Sequence, residues 1–298
     1  MNIRELHESF CQYQEAIKNY QPNTIRSYKD TMSSFLGLNS EIQEIEQVSF
    51  LVAEKFFYWG RSEKNWKSST YISHHKRLNV FFLWAVAREF IKVNPLDKIE
   101  KPRLEKKLPT RLTKAQSLMV IDTAANLEYS TPFLASRNHA IFSMFLYCGL
   151  RKGELLKLKC SDVDIQNLSI HIRQGKGNKD RIVPMPFTLR NTLLRYAEER
   201  QKLHKTCQEF FVSFPRDCGY TDSGLKRVVG RIKEACGFHF YIHMLRHTFA
   251  TLMIEGGCDI YALSKILGHN DIKTTTIYLS ASVEHLRGQM SKHPLNFV

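Results

Sequence analysis

Several common features are missing from this sequence of 298 residues, and each absence excludes a class of protein. The seven cysteines are scattered and contain no Cys-x-x-Cys pair, which argues against a disulfide framework and against a zinc ribbon. The longest apolar stretch, from Ala140 to Leu150, is too short to span a bilayer. The first residues are charged where a signal peptide has an apolar segment. We therefore predict a cytoplasmic protein with no membrane partner.

Acidic residues are also scarce relative to basic ones. The chain has 43 Lys and Arg against 29 Asp and Glu, which gives a net charge of +14 and a pI near 9.4. A surface with this charge attracts polyanions, of which nucleic acid is the commonest. Since an ordinary basic protein has the same composition, the partner must be inferred from motifs.

The N-terminal part has the apolar spacing of helices and no strand pattern. Helices are predicted at about 3–18, 25–38, 48–60 and 68–91, the second starting at Asn23 and Thr24. They form a four-helix bundle that we assign to a first domain, residues 1–93. Basic side chains are concentrated on its polar faces, as contact with the phosphate backbone requires. Simple exposure to solvent is the alternative explanation for any single one of these side chains. The side chains predicted to bind DNA here are Arg26, Lys29, Lys76 and Arg77.

A basic, proline-containing segment follows at residues 94–112. Pro95, Pro102 and Pro109 keep it extended, and its charges keep it in water, so it is predicted to link two domains. Lys101 and Arg103 in this linker are predicted to lie along DNA, with a bare spacer as the alternative.

The second predicted domain, residues 113–298, is mostly helical. Thr113-Lys-Ala-Gln116 has the form of a capping box and starts its first helix. Alternating segments at 168–173 and 180–185 predict a β-hairpin around the glycines of 175–179. Helices are expected at about 114–127, 136–149, 188–205, 221–236, 243–255, 259–267 and 272–279, with a tail helix at 282–292.

Two arginines suit a site that breaks a phosphodiester. The phosphate oxygens gain charge in the transition state, and the planar fork of arginine pairs with two of them. Arg151 follows Gly149 at the end of an apolar helix, and Arg246 lies on a later helix. The alternative to a catalytic role for Arg151 is a surface salt bridge to Glu154. The sequence has neither a nucleotide-binding loop nor an evident set of metal ligands, so we predict no cofactor and no metal.

Histidines lie close to the arginines in the sequence. His243 and Arg246 are three residues apart on a helix and share one face. His247 raises the alternative of a zinc site with His243, but the pair lacks the Glu of His-Glu-x-x-His and a third ligand. His269 follows Gly268, the predicted C-cap of its helix, from which a side chain projects freely toward a phosphate.

A tyrosine and a lysine complete the predicted catalytic set. Tyr278 follows a threonine run, and as a nucleophile it would store the bond energy in a phosphotyrosine, so that resealing needs no ATP. Lys176 stands in a glycine-rich turn, where it can protonate the leaving 5′ oxygen, and Lys179 is its rival in the same loop. A lone tyrosine usually packs in the core or lies on the surface without a catalytic role. The prediction therefore depends on the joint occurrence of these residues.

The order and context of these residues resemble those of the tyrosine recombinases, the phage integrase family, and in particular its smaller, Xer-like members. The N-terminal segments Asn23-Thr-Ile-Arg-Ser-Tyr28 and Asn94-Pro-Leu96 resemble the core-binding domain and its exit, so the resemblance covers essentially the whole chain. The matching catalytic segments are Gly149-Leu-Arg-Lys-Gly-Glu154, Gly175-Lys-Gly-Asn-Lys-Asp-Arg181, His243-Met-Leu-Arg-His-Thr-Phe-Ala-Thr251, Leu267-Gly-His269 and Tyr278.

The resemblance implies a fold and a reaction. A SAM-like four-helix core-binding domain and a DNA breaking-rejoining catalytic domain would clamp duplex DNA at a specific site. Cleavage would leave a 3′-phosphotyrosine and a 5′-hydroxyl, which attacks a partner duplex through a Holliday junction inside a homotetramer. The implied roles are nucleophile for Tyr278, general acid for Lys176, aid to proton transfer for His243, and phosphate binding for Arg151, Arg246 and His269.

The biological setting implied by the resemblance is dimer resolution or the integration and excision of a mobile element. The tail from Ser282 to Val298 would dock on a neighbouring protomer. A second recombinase and accessory factors remain open as further partners. Three alternatives remain for the function: a type IB topoisomerase that relaxes DNA, a DNA-binding regulator with an idle site, and a metal-dependent nuclease.

Overall fold

The computed structural model describes residues 1–104, 109–173, 180–269 and 271–279. The chain divides into two compact units, Met1–Lys106 and Lys107–Val298. Throughout the described ranges both units are mainly helical, and a small antiparallel sheet lies in the second. The predicted fold class, mainly α with a small sheet, is confirmed. Within the same ranges, no helix is both long and apolar enough to cross a membrane.

The first unit is a bundle of helices around an aromatic core. Asn2 caps the first helix by accepting the N–H groups of Arg4 and Glu5, and Ser49 caps the third by accepting that of Val52. The helices are α1 (Ile3–Ala16), α2 (Pro22–Leu38), α3 (Phe50–Ser62) and α4 (Ser68–Val86), with a 3-10 turn at Ile45–Gln47. Buried phenylalanines from all four fill the centre: Phe10, Phe35, Phe56, Phe57, Phe81 and Phe82.

Several helix boundaries differ from the prediction by a few residues, and two of them in the first unit have a clear physical cause. Helix α2 begins at Pro22 and not at Asn23, because proline is well suited to the first turn, where its missing N–H costs nothing. Helix α4 ends at Val86 and not near residue 91. There Glu89 adopts a positive φ of 60° and Phe90 N–H bonds back to Ala85, which terminates the helix.

Helices in the second unit surround one buried helix. The helices are α5 (Lys114–Asn126), α6 (Pro132–Cys148), α7 (Lys152–Lys157), α8 (Phe187–Lys202), α9 (Asp222–Cys236), α10 (Ile242–Glu255), α11 (Ile260–Leu267) and α12 (Lys273–Leu279). Helix α6 packs on α5, α8 and α10, and its second half is mainly apolar, with Ile141, Phe142, Met144 and Phe145 fully buried. The predicted capping box is confirmed, since Thr113 and Gln116 exchange side-chain-to-backbone hydrogen bonds. The predicted tail helix lies outside the described residues.

The sheet consists of β1 (Val163–Asp164), β2 (Ser169–Ile172) and β3 (Arg181–Pro184), in that order. Strands β2 and β3 pair antiparallel with Ile170 opposite Val183, which confirms the predicted hairpin. Strand β1 was not predicted, because two residues carry no alternating pattern. The register turns Ile170, Ile172 and Val183 into the core.

Candidate active site

Five of the six predicted catalytic residues meet in the second unit. They come from four segments that lie far apart in the sequence. Arg151 immediately precedes α7, His243 and Arg246 lie in the first turns of α10, His269 follows α11, and Tyr278 lies in α12. Lys176 and its rival Lys179 lie outside the described residues.

A glycine brings the first two segments together. Gly149 ends α6 in the left-handed conformation, with φ at 60°. A Cβ atom there would lie 2.2 Å from the ring of Phe249 on α10, so no side chain fits. The close approach lets the carbonyl of Gly149 accept a hydrogen bond of 2.7 Å from Nη1 of Arg246. Arg151, two residues later, is thereby placed beside the same helix.

Arg246 is a buried cation with only 1% of its surface exposed. Its Nη2 donates to the carbonyl of Leu267 at 2.6 Å and to Nε2 of His269 at 3.1 Å. Burial lowers the pKa of Arg246 to about 10, and the charge of Arg151 acts in the same direction. The group stays protonated at neutral pH, so the site is suited to an anion.

A carboxylate joins two further arginines. Glu154 accepts from the backbone N–H and Nη1 of Arg151, both at 2.7 Å, and from Nη1 and Nη2 of Arg181 at 2.8 and 2.9 Å. The predicted pair of Arg151 and Glu154 thus exists, but Glu154 is 7% exposed and fixes both arginines. Burial alone would raise the pKa of Glu154, but the hydrogen bonds and charges of the arginines outweigh it and hold that pKa at about 2.

Arg181 was not among the predicted site residues, although it closes the Gly175–Arg181 motif. Its Nε donates to the carbonyl of Ile266 at 2.8 Å. Its side chain also packs against Gly268, where a Cβ atom would lie 2.8 Å from Cδ. Gly268 is in the left-handed conformation at the end of α11, as predicted, and its carbonyl accepts from Nη2 of Arg151. Arg181 therefore ties the sheet to the segment that carries His269.

His269 connects Arg246 to α12. Because arginine can only donate, Nε2 of His269 accepts its hydrogen bond. In a neutral ring Nδ1 then carries the proton and donates to Oγ1 of Thr275 at 2.8 Å. Burial lowers the pKa of His269 to about 4, with Arg246, Arg151 and Arg181 acting in the same direction, so the ring is neutral at neutral pH.

Tyr278 is 2% exposed, and its hydroxyl contacts His247 rather than His243. The distance from Oη of Tyr278 to Nδ1 of His247 is 2.9 Å. The rings of His243 and His247 meet edge to face, with their centroids 4.4 Å apart. Burial raises the pKa of Tyr278, while the charges of Arg246 and Arg151 oppose that rise. The sequence had suggested His247 only as a zinc ligand, and the described residues contain no group of three side chains that would hold a metal ion.

A cavity of about 530 Å³ opens beside His243 and Arg151. Its lining includes the ammonium-bearing side chains Lys152, Lys226 and Lys233. Lys152 and Lys226 share one carboxylate, that of Asp222. The basic lining and the guanidinium groups together favour a polyanion at this side of the second unit.

The side chains predicted to contact DNA elsewhere all lie in the first unit. Arg26, Lys76, Lys101 and Arg103 are exposed. Lys29 forms a surface ion pair with Glu8 at 2.8 Å, and Arg77 is half-buried and donates to Oγ1 of Thr31 at 3.3 Å. A surface pair of this kind is worth less than about 1 kcal/mol, so it holds the Lys29 side chain only weakly.

Comparisons of the sequence with known proteins all point to the same family. The sequence model of the phage integrase family matches residues 110–285. The chain is 31% identical over 306 residues to tyrosine recombinase XerC of Bacillus pumilus (strain SAFR-032), covering 99% of this chain and 98% of the relative. It is 31% identical over 293 residues to tyrosine recombinase XerA of Thermococcus onnurineus (strain NA1), covering 97% and 95%.

A solved structure resembles the fold as well. The XerH site-specific recombinase bound to its palindromic difH substrate, in a post-cleavage complex, superimposes with a TM-score of 0.75. The two chains are 22% identical, and the match covers 96% of this chain and 83% of that one. The likeness therefore extends over both units.

Proposed function

This chain belongs to the phage integrase family, and from that membership we propose that it is a site-specific recombinase that cuts and reseals duplex DNA through a tyrosine. One observation carries the proposal: two arginines, the paired His243 and His247, His269 and Tyr278 meet in one site of the second unit. Such a site has cations for a phosphodiester and a nucleophile to attack it.

Arg151, Arg246 and His269 are proposed to bind the phosphate. Main-chain carbonyls already fix both guanidinium groups, Gly149 and Leu267 for Arg246 and Gly268 for Arg151. Within the described residues these bonds use only part of the five N–H donors of each arginine. The remaining donors are oriented in advance, so little reorganisation is needed as charge develops on the phosphate oxygens.

In the proposed reaction, Oη of Tyr278 attacks phosphorus and the bond to the 5′ oxygen breaks. The products are a 3′-phosphotyrosine and a 5′-hydroxyl, and Lys176 supplies the proton to the leaving oxygen. Attack by the 5′-hydroxyl of a partner duplex reverses the step and produces a Holliday junction. Because the link to tyrosine conserves the bond energy, resealing requires no nucleotide cofactor.

Duplex DNA is the proposed partner, with a homotetramer as the proposed assembly. The exposed Arg26, Lys76, Lys101 and Arg103 of the first unit support DNA binding through the backbone. A protein of the same fold, XerH, is bound to its palindromic difH substrate in its solved structure, which supports the proposal. Domains at 1–93 and 113–298 joined by the linker 94–112 remain our proposal for the organisation of the chain, and the tail that would dock on a neighbour lies outside the described residues.

The proposal is tested by trapping the covalent intermediate. Nicked duplexes with a 5′-bridging phosphorothiolate make cleavage irreversible, and adducts are detected on denaturing gels with EDTA present. We expect an adduct with the wild type but not with Tyr278→Phe, because only Oη can form the link. Tyr261→Phe is the matched control, since Tyr261 is 60% exposed on α11, and it should form adduct normally.

Each alternative function has a distinct outcome in this design. Tight binding without an adduct on any DNA would contradict the proposal and favour a DNA-binding regulator. In parallel reactions without EDTA, strand cleavage that forms no adduct and that is lost when EDTA is added would point to a metal-dependent nuclease. Adduct formation by a monomer that relaxes supercoiled plasmid, with the oligomeric state measured by size exclusion, would favour a type IB topoisomerase.

A further prediction concerns Thr275. To donate to a phosphate oxygen, neutral His269 must move its proton from Nδ1 to Nε2, and Nδ1 must then accept a hydrogen bond. The hydroxyl of Thr275 can accept or donate, so it supports either tautomer. Thr275→Val should slow cleavage by about tenfold, the value of one hydrogen bond. The measurement is the rate of adduct formation under single-turnover conditions.

The neighbouring Thr276→Val provides the control for this variant. Thr276 is exposed, and its hydroxyl bonds only the carbonyl of Lys273 in its own helix among the described residues. Thr275→Ser, which retains the hydroxyl, should recover the wild-type rate. Equal rates for Thr275→Val and Thr276→Val would show that the hydroxyl does not act through His269.

A further inference from the structure

The hydroxyl of Tyr278 has a specific partner, and that partner is not the histidine expected from the sequence. His243 was predicted to assist proton transfer, but it is exposed and lies one helical turn before the residue that contacts Tyr278. His247 lies on the next turn of α10, with Nδ1 2.9 Å from Oη of Tyr278. This distance is that of a good hydrogen bond between the two side chains.

The direction of this hydrogen bond follows from acidity. A phenol is a stronger acid than a neutral imidazole N–H, so the tyrosine O–H is the donor and Nδ1 of His247 is the acceptor. A base that already accepts a hydrogen bond from the nucleophile has the geometry needed for general-base catalysis. With Nδ1 as acceptor, the proton of the neutral ring is on Nε2.

We propose that His247 is the proton acceptor for Tyr278 in strand cleavage. As Oη bonds to phosphorus, its proton passes to Nδ1 of His247, while the 5′ oxygen leaves and takes its proton from the general acid. In resealing, the proton returns from Nδ1 to Oη as the phosphotyrosine bond breaks. The inference rests on the proposed recombinase function and assigns a catalytic role within it.

The surrounding charges link this proton transfer to DNA binding. Burial lowers the pKa of His247 to about 4, and His243 and Arg246 on the same helix act in the same direction. Elsewhere in the site, Arg151, Arg181 and Glu154 carry charge, and His269 and Tyr278 are titratable. A bound phosphodiester carries a negative charge that offsets the positive charges of the arginines, so it raises the pKa of His247. His247 is therefore a stronger base when substrate is present than when the site is empty.

The test measures the removal of the proton from the Tyr278 hydroxyl separately from protonation of the leaving group. A 5′-bridging phosphorothiolate leaves as a thiolate without needing a proton, so its single-turnover cleavage depends on attack by tyrosine. His247→Asn places an amide oxygen near the position of Nδ1, where it accepts the hydrogen bond but cannot take the proton. We expect cleavage to be slower by about 10²- to 10⁴-fold, the usual contribution of a general base. The remaining rate should increase with pH as hydroxide replaces the base.

Comparison variants separate a chemical role from a positional one. His247→Ala lacks the hydrogen bond as well, and should be no faster than His247→Asn. His243→Asn makes the same change one turn earlier and should retain the pH dependence of the wild type. DNA affinity and thermal unfolding are measured for every variant, so that a folding defect is recognised.

Two results would overturn the inference. One is cleavage by His247→Asn at the wild-type rate while His247→Ala is slow, since the histidine would then only position the tyrosine. The other is a hydroxide-dependent rate in His243→Asn alone, which would assign the proton to His243. Both outcomes require a wild type that forms the adduct, so they are distinct from failure of the recombinase proposal, in which the wild type forms none.

Discussion

Replacing Arg246 by lysine is expected to slow strand cleavage by about a hundredfold or more. The guanidinium spans the carbonyls of Gly149 and Leu267 and reaches His269, a geometry that a single ammonium group cannot reproduce. Buried carbonyls would lose their donors, at a cost of about 1–3 kcal/mol each in the free energy of unfolding. The variant should therefore lose both transition-state binding and stability, which are measured by single-turnover adduct formation and by denaturant unfolding.

A control is needed because replacing any buried arginine that bonds main-chain carbonyls leaves those carbonyls without a donor and destabilises the fold. Arg137 is 4% exposed in the same unit, donates to the carbonyl of Val212 at 3.0 Å and lies over the ring of Tyr220. Arg137→Lys should lower stability to a similar extent but leave cleavage by the folded protein unchanged. If both variants cleave equally slowly after correction for the folded fraction, the role of Arg246 is structural and the proposal for it is wrong.

The local structure of this protein could largely be predicted from its sequence. Apolar spacing located every helix from α1 to α6 and from α8 to α12, and the glycine at 268 located the end of α11. These features depend on residues a few positions apart, so periodicity and capping preferences are sufficient. The short elements α7 and β1 were missed because so few residues show no pattern.

The contacts that form the site could not be predicted in this way. Arg181 bonds the carbonyl of Ile266, 85 residues away in sequence, and His247 bonds Tyr278, 31 residues away. Such pairs depend on how α10, α11 and α12 pack, which no local pattern specifies. The motifs indicated which residues belong to the site, whereas the partner of each side chain required the structure. For this reason the sequence indicates His247 only as a candidate metal ligand.

Glu154→Gln should have the second large effect, and its size should depend on pH. The carboxylate neutralises Arg151 and Arg181 in a buried setting, and its loss leaves positive charges facing one another. The pKa of Glu154 is lowered from 4.5 to about 2, which corresponds to a stabilisation of about 3 kcal/mol. Cleavage should also slow, because Arg151 loses the partner that fixes its orientation.

The sign of the pH dependence follows from the direction of the shift. Since the folded pKa of about 2 is below the unfolded value of 4.5, the stabilisation is complete above about pH 4.5 and is lost as the pH falls toward about 2. Urea unfolding should therefore show a wild type much more stable than Glu154→Gln near neutral pH, with the difference shrinking on acidification. Glu199→Gln is the control, because its partner Lys202 is mostly exposed and the pair is worth less than about 1 kcal/mol. A stability difference for Glu154→Gln that does not change with pH would show that packing, and not charge, makes this carboxylate important.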